Sequence, residues 1–456
     1  MRESIEIKEY TRIFCKDTAP QESSITVSKS LFEDLEQFLF DFSSSNLHAD
    51  ATEFMRIGSQ RRAGKYIAVR NFVGVIQTPK GHQVQILPKI DLGCSENDAD
   101  EINSFTQTKR IFLKMIRSLR DVPIKHLDTT NLKTEKLPIF EIFIRMYLQE
   151  AMILAKRGLK SAYLEHEDNL RFYKGKLLVS AHIKQNTTHR ERFYMRYDEY
   201  DLNRPENRLI KSTLQKLMIL SADEQNQKEI RQLLTYFELV EPSANYERDF
   251  SQVKKDRSIK DYEMLLKWSK VFLFNQSFST FTGKSQSWAL LFPMETVFES
   301  YVAQELRKAC ADTSWSISVQ DSGQWLFDSP NHDSPNHKFR LKPDIVITKD
   351  DGSQIILDTK WKSLSDNERM NYGISQSDMY QMYAYSKKYT KPGGKSPDVW
   401  LLYPLNPEMK KYSDDRTIEF VSRNVDGNDV RVRLFFVNLK EIGRSMSTLK
   451  ARLESG

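Results

Sequence analysis

Cysteine is scarce in this sequence, which has three in 456 residues: Cys15, Cys94 and Cys310. They are widely separated, odd in number and free of CxxC spacing. This excludes a disulfide framework and a cysteine zinc site, and it fits a reducing cytoplasm. No P-loop, GxSxG, HExxH or GxGxxG motif occurs in a sequence context that would support its function. If a nucleotide takes part in the function, we therefore expect another polypeptide to bind it.

Long hydrophobic runs are missing too. The N-terminal residues MRESIEIKEYTRIF lack the apolar segment of a secretory signal. The most hydrophobic helical stretch, residues 137–155, contains Glu141, Arg145 and Glu150. These charges predict a buried or amphipathic helix and not a membrane span.

Neither sign of charge is in large excess, because 68 basic and 62 acidic residues leave a net charge of +6. This balance permits nucleic-acid binding without demanding it. Hydrophobic residues make up 39% of the chain and charged residues 29%, as in globular proteins. The length predicts two or three domains.

The N-terminal region, residues 1–130, is predicted to be rich in β-strands. Residues 65–78 and 83–90 contain many β-branched side chains and flank the turn sequence PKGH, which predicts a β-hairpin. The polar residues 95–107 predict a loop. The middle region, residues 131–284, is predicted to be mainly helical. Its helices are expected over 137–157, ending at Gly158, over 203–240 with a break near Ala222, and over 263–276.

The last region, residues 285–456, is predicted to be a separate domain. Its elements follow the order α-β-β-β-α-β, which describes a mixed sheet with helices on its faces. A tandem repeat, DSPNHDSPNH at 328–337, predicts a surface loop, although its two histidines are also possible metal ligands. The expected fold class is a multidomain α+β protein: a β-rich N-terminal region, a helical middle and a C-terminal α/β core with a central mixed sheet.

The segment LKPDIVITKDDGSQIILDTKWKSL, residues 341–364, predicts a β-hairpin. Three of its charged residues, Asp344, Asp358 and Lys360, lie at one end of that hairpin. Asp358 and Lys360 are two residues apart and therefore project from the same face of a strand. A three-residue loop over 350–352, with Gly352 in the left-handed region, places Asp344 opposite Asp358. A two-residue loop would put the two carboxylates on opposite faces, so the prediction depends on the register.

Two neighbouring carboxylates suit Mg²⁺, with Mn²⁺ as a substitute, because these ions take oxygen ligands together with waters and phosphate. Lys360 would then lie beside the attacking water and the phosphate, as phosphodiester hydrolysis requires. The alternative is an exposed ion pair between Asp358 and Lys360, with Asp344 capping a turn. The apolar flanks IVI and IIL favour a buried strand, in which charges need partners.

Pro343-Asp344 followed by Asp358-Thr359-Lys360 resembles the PD-(D/E)xK nuclease motif. The resemblance implies that the acids bind metal and that the lysine assists the attacking water. Glu299 matches an acidic residue on the opening helix of many such nucleases, which implies a third metal ligand. Gln381 and Tyr385 match the QxxxY of the RecB-like branch. As alternatives, Glu299 is an ordinary helix surface residue, and Gln381 and Tyr385 only pack and hydrogen-bond across the sheet.

The resemblance is closer still to the McrC family, the cleavage subunits of McrBC-type restriction systems. It rests on the segments FPMETVFESYVAQEL, KPDIVI, ILDTKWK and DMYQMYAYSKKY, and less specifically on VRNFVGVIQTPKGHQVQILPKI and YDEYDLNRPENRLIKSTLQKL. It implies a Mg²⁺-dependent DNA endonuclease that works with McrB, a hexameric AAA+ GTPase. That partner would bind the GTP and recognise double-stranded DNA, commonly with modified cytosine, while this chain stimulates the GTPase and cuts.

The basic residues Arg61, Arg62, Lys65 and Arg70 are the candidate contact with that partner, since the N-terminal half inserts into the ring in this family. The alternative is a solvated charge run. Two other functions stay open: a stand-alone RecB-like nuclease without a GTPase partner, and a non-catalytic activator whose nuclease fold serves assembly. The intact acid and lysine set argues against the activator.

Overall fold

The structure is a computed structural model. It describes residues 3–15, 24–45, 55–61, 64–78, 80, 82–90, 98–119, 137–253, 260–274, 288–329, 336–391, 394–412, 417–423 and 428–455. The chain is a mixed α+β protein that divides into two compact units. One unit, here called the sheet unit, combines Met1–Arg120 with Lys284–Gly456. The other, the helical unit, is Asp121–Gly283 and is an insertion in the sequence of the first.

The N-terminal part of the sheet unit contains seven strands and two helices among its described residues. In chain order they are β1 Ser4–Lys8, β2 Arg12–Cys15, β3 Ser24–Val27, α1 Lys29–Ser45, β4 Met55–Gln60, β5 Gly64–Val69, β6 Phe72–Gln77, β7 Gln83–Leu87 and α2 Asp98–Ile116. Strands β3, β2, β5 and β4 form one sheet in that order.

The hairpin predicted over 65–78 and 83–90 is only partly correct. β6 pairs with β7 in antiparallel register, but β5 belongs to the other sheet, between β2 and β4. The burial patterns of β5 and β6 explain why these two strands belong to different sheets. β5 alternates, with Ile67 and Val69 buried, whereas β6 is buried almost throughout, so the two strands need different surroundings. Positions 79 and 81 of the predicted turn lie outside the described residues.

The loop predicted over 95–107 is wrong from residue 98 onward, where α2 begins. Among the residues of this helix whose side chains are described, the buried apolar ones are Ile111, Phe112, Leu113, Met115 and Ile116. The first half of the sequence is mostly polar, whereas a sequence prediction depends on sustained apolar periodicity.

The helical unit contains six helices and three strands among its described residues. They are α3 Ile139–Arg157, β8 Ala162–Leu170, β9 Lys176–Leu177, α4 Val179–Gln185, β10 Phe193–Asp201, α5 Pro205–Leu220, α6 Glu224–Tyr236, α7 Tyr246–Gln252 and α8 Glu263–Phe274. The predicted helices are confirmed, including the end at Gly158, which has φ 92°. Within the described part of the chain, no helix is long and apolar enough to cross a membrane.

The C-terminal part of the sheet unit contributes nine strands and three α-helices to the described residues. They are β11 Trp288–Pro293, α9 Met294–Ala309, β12 Ser316–Val319, β13 Trp325–Ser329, β14 Asn336–Arg340, β15 Ile345–Thr348, β16 Gln354–Thr359, α10 Gln376–Tyr389, β17 Asp398–Pro404, β18 Glu419–Ser422, β19 Val430–Val437 and α11 Ile442–Ser455. Short 3₁₀ helices span Glu368–Gly373 and Pro407–Tyr412.

A six-stranded sheet forms the centre of this C-terminal part, in the order β12-β15-β16-β17-β19-β18. β16, β17 and β19 run parallel and the other neighbours are antiparallel, so the predicted mixed sheet is confirmed. The surface loop predicted over 328–337 is wrong at both ends, because residues 328–329 belong to β13 and residues 336–337 to β14, and these strands pair in antiparallel register. Residues 330–335 of the repeat lie outside the described residues.

Helices cover both faces of this sheet. On one face, Met382 and Tyr385 of α10 belong to the same buried cluster as Ile356 and Leu401. On the other face, the ring of Phe298 in α9 lies 5.4 Å from the ring of Trp361. Because side chains alternate along β16, Asp358 projects to the α10 face, as Ile356 does.

β11 joins the N-terminal strands to the C-terminal part of the sheet unit. It pairs with β6, completing the four-stranded sheet β1-β7-β6-β11, and α9 follows directly. The pairing needs a glycine, because a Cβ at Gly74 would lie 1.9 Å from the backbone oxygen of Leu290 and the residue has φ 146°. The N-terminal sheet is therefore continuous with the helix that carries Glu299.

Candidate functional site

The register of the β15–β16 hairpin is the one that the sequence analysis requires. Ile345 pairs with Leu357 and Thr348 with Gln354, which leaves a three-residue loop beyond the Lys349–Ser353 backbone hydrogen bond. Gly352 in that loop has φ 77°. The ladder ends at Ile345 and Leu357, so Asp344 directly precedes β15 and lies beside the end of β16 that carries Asp358.

Asp344 is held from both strands that flank it. Thr359 donates its backbone N–H and its hydroxyl to Oδ2 of Asp344, each at 2.7 Å. On the other side, the backbone N–H of Gln320 donates to the carbonyl oxygen of Asp344 at 2.8 Å. Gln320 has φ 52°, in the left-handed region that side chains other than glycine rarely adopt. Sequence reasoning missed the positioning roles of Thr359 and Gln320, although the hydroxyl between the acid and the lysine was a usable signal.

Asp358 and Lys360 form an ion pair at the end of β16. The side chain of Asp358 is 2% exposed, and Nζ of Lys360 lies 2.8 Å from its Oδ2. The pair is an ionic contact whose alignment falls outside that of a hydrogen bond. Since Asp358 is buried, the alternative of an exposed surface pair does not hold. A buried carboxylate needs a cation nearby, and Lys360 is one.

Gln381 links Lys360 to Tyr385. Its Oε1 accepts a hydrogen bond from Nζ of Lys360 at 3.1 Å, and its Nε2 donates to Oη of Tyr385 at 2.6 Å. The Tyr385 hydroxyl donates to the carbonyl oxygen of Lys342 at 3.0 Å. These bonds fix the orientation of the amide. The structure therefore gives Gln381 and Tyr385 polar contacts with the candidate site as well as packing.

Glu299 lies on α9, and the negative charges of Asp344 and Asp358 act on its carboxyl group. Burial, then repulsion from Asp344, raises the pKa of Glu299 from 4.5 to about 7. Burial and Asp344 likewise raise the pKa of Asp358 from 3.8 to about 7. Burial also raises the pKa of Asp344, against the hydrogen bonds from Thr359. The three carboxyl groups thus share one site of excess negative charge.

The pKa of Lys360 is affected by the same negative charge. Burial alone would lower its pKa, but the ion pair with Asp358 and the field of Asp378 and Asp344 outweigh burial and raise it. Burial is the largest cause of the raised pKa values of the three acids, and in Glu299 and Asp358 the neighbouring carboxylates add to it. Three carboxyl groups and one lysine leave an excess of negative charge. A divalent cation would neutralise that excess.

The donor set fits Mg²⁺ or Mn²⁺, both of which prefer carboxylate oxygens. In the part of the chain that the structure describes, no three His, Cys, Asp or Glu side chains are grouped tightly enough to hold a metal ion. Mg²⁺ is commonly held by one or two carboxylates, with waters and substrate phosphate as its other ligands. Asp344, Asp358 and Glu299 stay the predicted ligands.

Three of the predicted partner-binding residues, Arg61, Lys65 and Arg70, lie on and after the β4–β5 hairpin. Lys65 forms an ion pair with Glu36 at 2.9 Å. The side chains of Arg61 and Arg70 are exposed, and Arg62 lies outside the described residues.

Fold and site together define a mixed α+β protein with a buried aspartate, neighbouring carboxylates and a lysine at the end of a central strand. The family model described as "McrBC 5-methylcytosine restriction system component" matches residues 67–404. The chain belongs to this family and is a component of a restriction system. A search of curated proteins found no match.

Two solved structures from Thermococcus gammatolerans contain similar chains. One, described as a refined half-complex from a tetradecameric assembly of McrB AAA+ hexamers with bound McrC, is similar over 99% of both chains, with 18% identity and a TM-score of 0.66. The other, a cryo-EM structure of the McrBC complex, covers 67% of this chain and 88% of the other, with 18% identity and a TM-score of 0.47. The first similarity shows a shared fold along the whole chain.

Proposed function

We propose that this chain is the Mg²⁺-dependent DNA endonuclease subunit of a GTP-dependent McrBC-type restriction complex, with a PD-(D/E)xK core. The observation that carries the proposal is the grouping of Asp344, Asp358 and Lys360 at one end of the β15–β16 hairpin. Glu299 shares their electrostatic field, and Gln381 contacts the lysine. The membership in a restriction-system family supports the same conclusion.

The residues of the site have distinct tasks in phosphodiester hydrolysis. Thr359 holds Asp344 in one orientation through two hydrogen bonds. Asp358 and Gln381 hold the ammonium group of Lys360, whose positive charge stabilises the negative charge that develops on the phosphate. A Mg²⁺ ion at the carboxylates would supply Lewis-acid activation of water and phosphate. The buried surroundings strengthen each of these electrostatic interactions.

The partner in this proposal is an McrB-like AAA+ GTPase hexamer, which binds the GTP. The similar chain from Thermococcus gammatolerans comes from an assembly of McrB AAA+ hexamers with bound McrC, which supports such a partner. The family description supports double-stranded DNA with modified cytosine as the substrate. The exposed residues Arg61 and Arg70, with Arg62 and Lys65, are the proposed partner contact.

The test is Asp358→Asn in the full-length chain, assayed with the partner, GTP and Mg²⁺. We expect plasmid cleavage to fall by about 100-fold or more, because a charged group is removed from the reacting centre. Stimulation of the partner's GTPase should persist. Asp351→Asn, in the exposed loop of the same hairpin, is the matched control and should cleave normally.

Cleavage by Asp358→Asn at the wild-type rate would contradict the proposal. Strong cleavage by the wild-type chain without partner and GTP would favour the stand-alone RecB-like nuclease. GTPase stimulation without any cleavage by the wild-type chain would favour the non-catalytic activator.

A further inference from the structure

A buried glutamate from the N-terminal strands contacts the strand end that carries Lys360. Glu9 follows β1, and its backbone N–H donates to the carbonyl oxygen of Leu87 at 2.9 Å. Its side chain is 2% exposed. One carboxylate oxygen, Oε1, accepts hydrogen bonds from the indole N–H of Trp361 at 2.8 Å and from the backbone N–H of Lys89 at 2.7 Å. Glu9 thus contacts Trp361, which lies 352 positions further along the sequence.

Trp361 lies next to both elements that supply the candidate site, the end of β16 and helix α9. It directly follows Lys360 in the chain, and its ring packs against Phe298 with the ring centroids 5.4 Å apart. Phe298 directly precedes Glu299 on α9. A shift of the Trp361 ring would therefore move the backbone of Lys360 and the part of α9 that holds Glu299.

Burying the carboxylate of Glu9 in this contact lowers the stability of the fold. The contact therefore has a role other than stability. The second oxygen of Glu9, Oε2, is buried and has no hydrogen-bond partner among the described residues. Burial is the main reason that the pKa of Glu9 is raised from 4.5 to about 7. An apolar residue would fill this position at less cost. The next residue, Tyr10, has φ 65°, a strained conformation of the kind that is concentrated at functional sites.

The Glu9–Trp361 contact lies beside open space. A cavity of about 490 Å³ is lined by Glu9, Tyr10, Trp361 and Lys360, together with Lys89 and Asp378. The contact is thus next to the space from which a substrate would reach Lys360.

We propose that Glu9 is a positioning residue of the nuclease site, which sets the placement of Lys360 and Glu299 by holding the indole of Trp361. The inference rests on the proposed function of that site. It adds a contribution from the N-terminal strands to a site whose other residues all come from the C-terminal part of the chain.

The test uses the full-length chain with its partner, GTP, Mg²⁺ and a methylated plasmid. Glu9→Met removes the acceptor and keeps the length of the side chain, and Glu9→Gln keeps an acceptor oxygen. Trp361→Phe removes the indole donor and keeps an aromatic ring against Phe298. Glu33→Gln is the control, because Glu33 is an exposed carboxylate of α1 in the N-terminal part and pairs with Lys29 at 3.8 Å, away from this cavity.

We expect kcat to fall by about ten-fold or more in Glu9→Met and in Trp361→Phe, because small displacements of catalytic groups are costly. KM for DNA should stay within about two-fold of the wild-type value. Glu9→Gln should retain most of the rate, and Glu33→Gln should cleave normally. The double variant of Glu9→Met with Trp361→Phe should lose no more than either single variant, because both remove the same hydrogen bond.

A wild-type kcat in both Glu9→Met and Trp361→Phe, or fully additive losses, would overturn the inference. If Glu9→Met does not fold, Trp361→Phe carries the test, since it retains the buried ring. Amide hydrogen exchange gives a readout without activity. Residues 359–362 should exchange about ten-fold faster in Glu9→Met, while β17 and β19 keep their protection. A wild-type protein that cuts no DNA refutes the proposed function, and the exchange result then still decides whether Glu9 orders this segment.

Discussion

Thr359 donates two hydrogen bonds to a single oxygen of Asp344, one from its backbone and one from its hydroxyl. The residue between the acid and the lysine of the motif is thus what orients the first acid of the motif. Both bonds go to a carboxylate, and hydrogen bonds to charged groups are about twice as strong as neutral ones. The identity of this middle residue therefore matters to the site.

Replacing Thr359 with Val removes the hydroxyl and nearly keeps the volume. We expect a loss of about 1.5–3 kcal/mol of interaction with Asp344, which corresponds to a decrease in kcat of about ten-fold to 100-fold if the proposed mechanism is correct. Thr359→Ser keeps the hydroxyl and should retain most of the rate. Single-turnover cleavage measures both variants, and equal rates for Val and Ser would contradict a role for the hydroxyl.

Tyr385→Phe tests the chain of hydrogen bonds from Lys360 to the backbone of Lys342. Without the tyrosine hydroxyl, the Gln381 amide loses its partner at 2.6 Å and is free to turn away from the lysine. We expect cleavage to fall by about ten-fold and the free energy of unfolding by about 1 kcal/mol. Tyr380→Phe, on the exposed side of the same helix, is the control and should change neither quantity. Unchanged cleavage by Tyr385→Phe would show that the amide is held by other contacts.

Glu9→Gln should change how stability depends on pH. The pKa of Glu9 is raised in the folded state, from 4.5 to about 7, so the folded protein binds this proton more tightly than the unfolded chain does. The stability contributed by protonated Glu9 is full below about pH 4.5 and is lost as the pH rises through about 7, a change on the order of 3 kcal/mol.

Urea denaturation of both proteins between pH 5 and pH 8 measures this effect. The variant should lose less stability than the wild type as the pH rises. Lys89 and Tyr10, the charged and titratable groups next to Glu9, are present in both proteins, so the difference isolates Glu9. Parallel stability profiles would mean that Glu9 is ionised throughout this range.

Glu141 in α3 is the centre of a buried polar cluster in the helical unit. Its carboxylate accepts hydrogen bonds from the Ser221 hydroxyl at 2.6 Å, the Ala222 backbone N–H at 2.7 Å and the Asn226 side chain at 2.8 Å. Glu141→Ala leaves these donors unpaired, and we expect a loss of about 3 kcal/mol or more in the free energy of unfolding. Lys228→Ala, at an exposed position of α6, should change it by less than about 0.5 kcal/mol. A small effect of Glu141→Ala in chemical denaturation would mean that water replaces the carboxylate.

The arrangement of Asp344, Asp358 and Lys360 could be predicted because it is determined locally. The three-residue loop and the left-handed glycine, Gly352, fix the register of the hairpin, and this brings the start of β15 beside the end of β16. The helices of the middle region could be predicted for a similar reason, since their apolar spacing is continuous over several turns.

The contacts of Glu9 with Trp361 and of β6 with β11 could not be predicted in this way. Each joins parts of the chain that are separated by the whole helical unit, and no local pattern marks the partner. Glu9 stands between Lys8 and Tyr10 like any charged residue at a strand end. The break at Arg70 between β5 and β6 was missed because both strands have high β propensity, and only their burial patterns differ.

The pairing of β6 with β11 has a consequence for how the chain is made. β6 ends at Gln77 and β11 begins at Trp288, so at about 5–20 residues per second β11 leaves the ribosome roughly 10–40 s after β6. During that interval the edge of an almost fully buried, apolar strand lacks its neighbour, and such edges recruit other chains. The order of synthesis thus leaves this edge of β6 open until the whole helical unit and then β11 have been made.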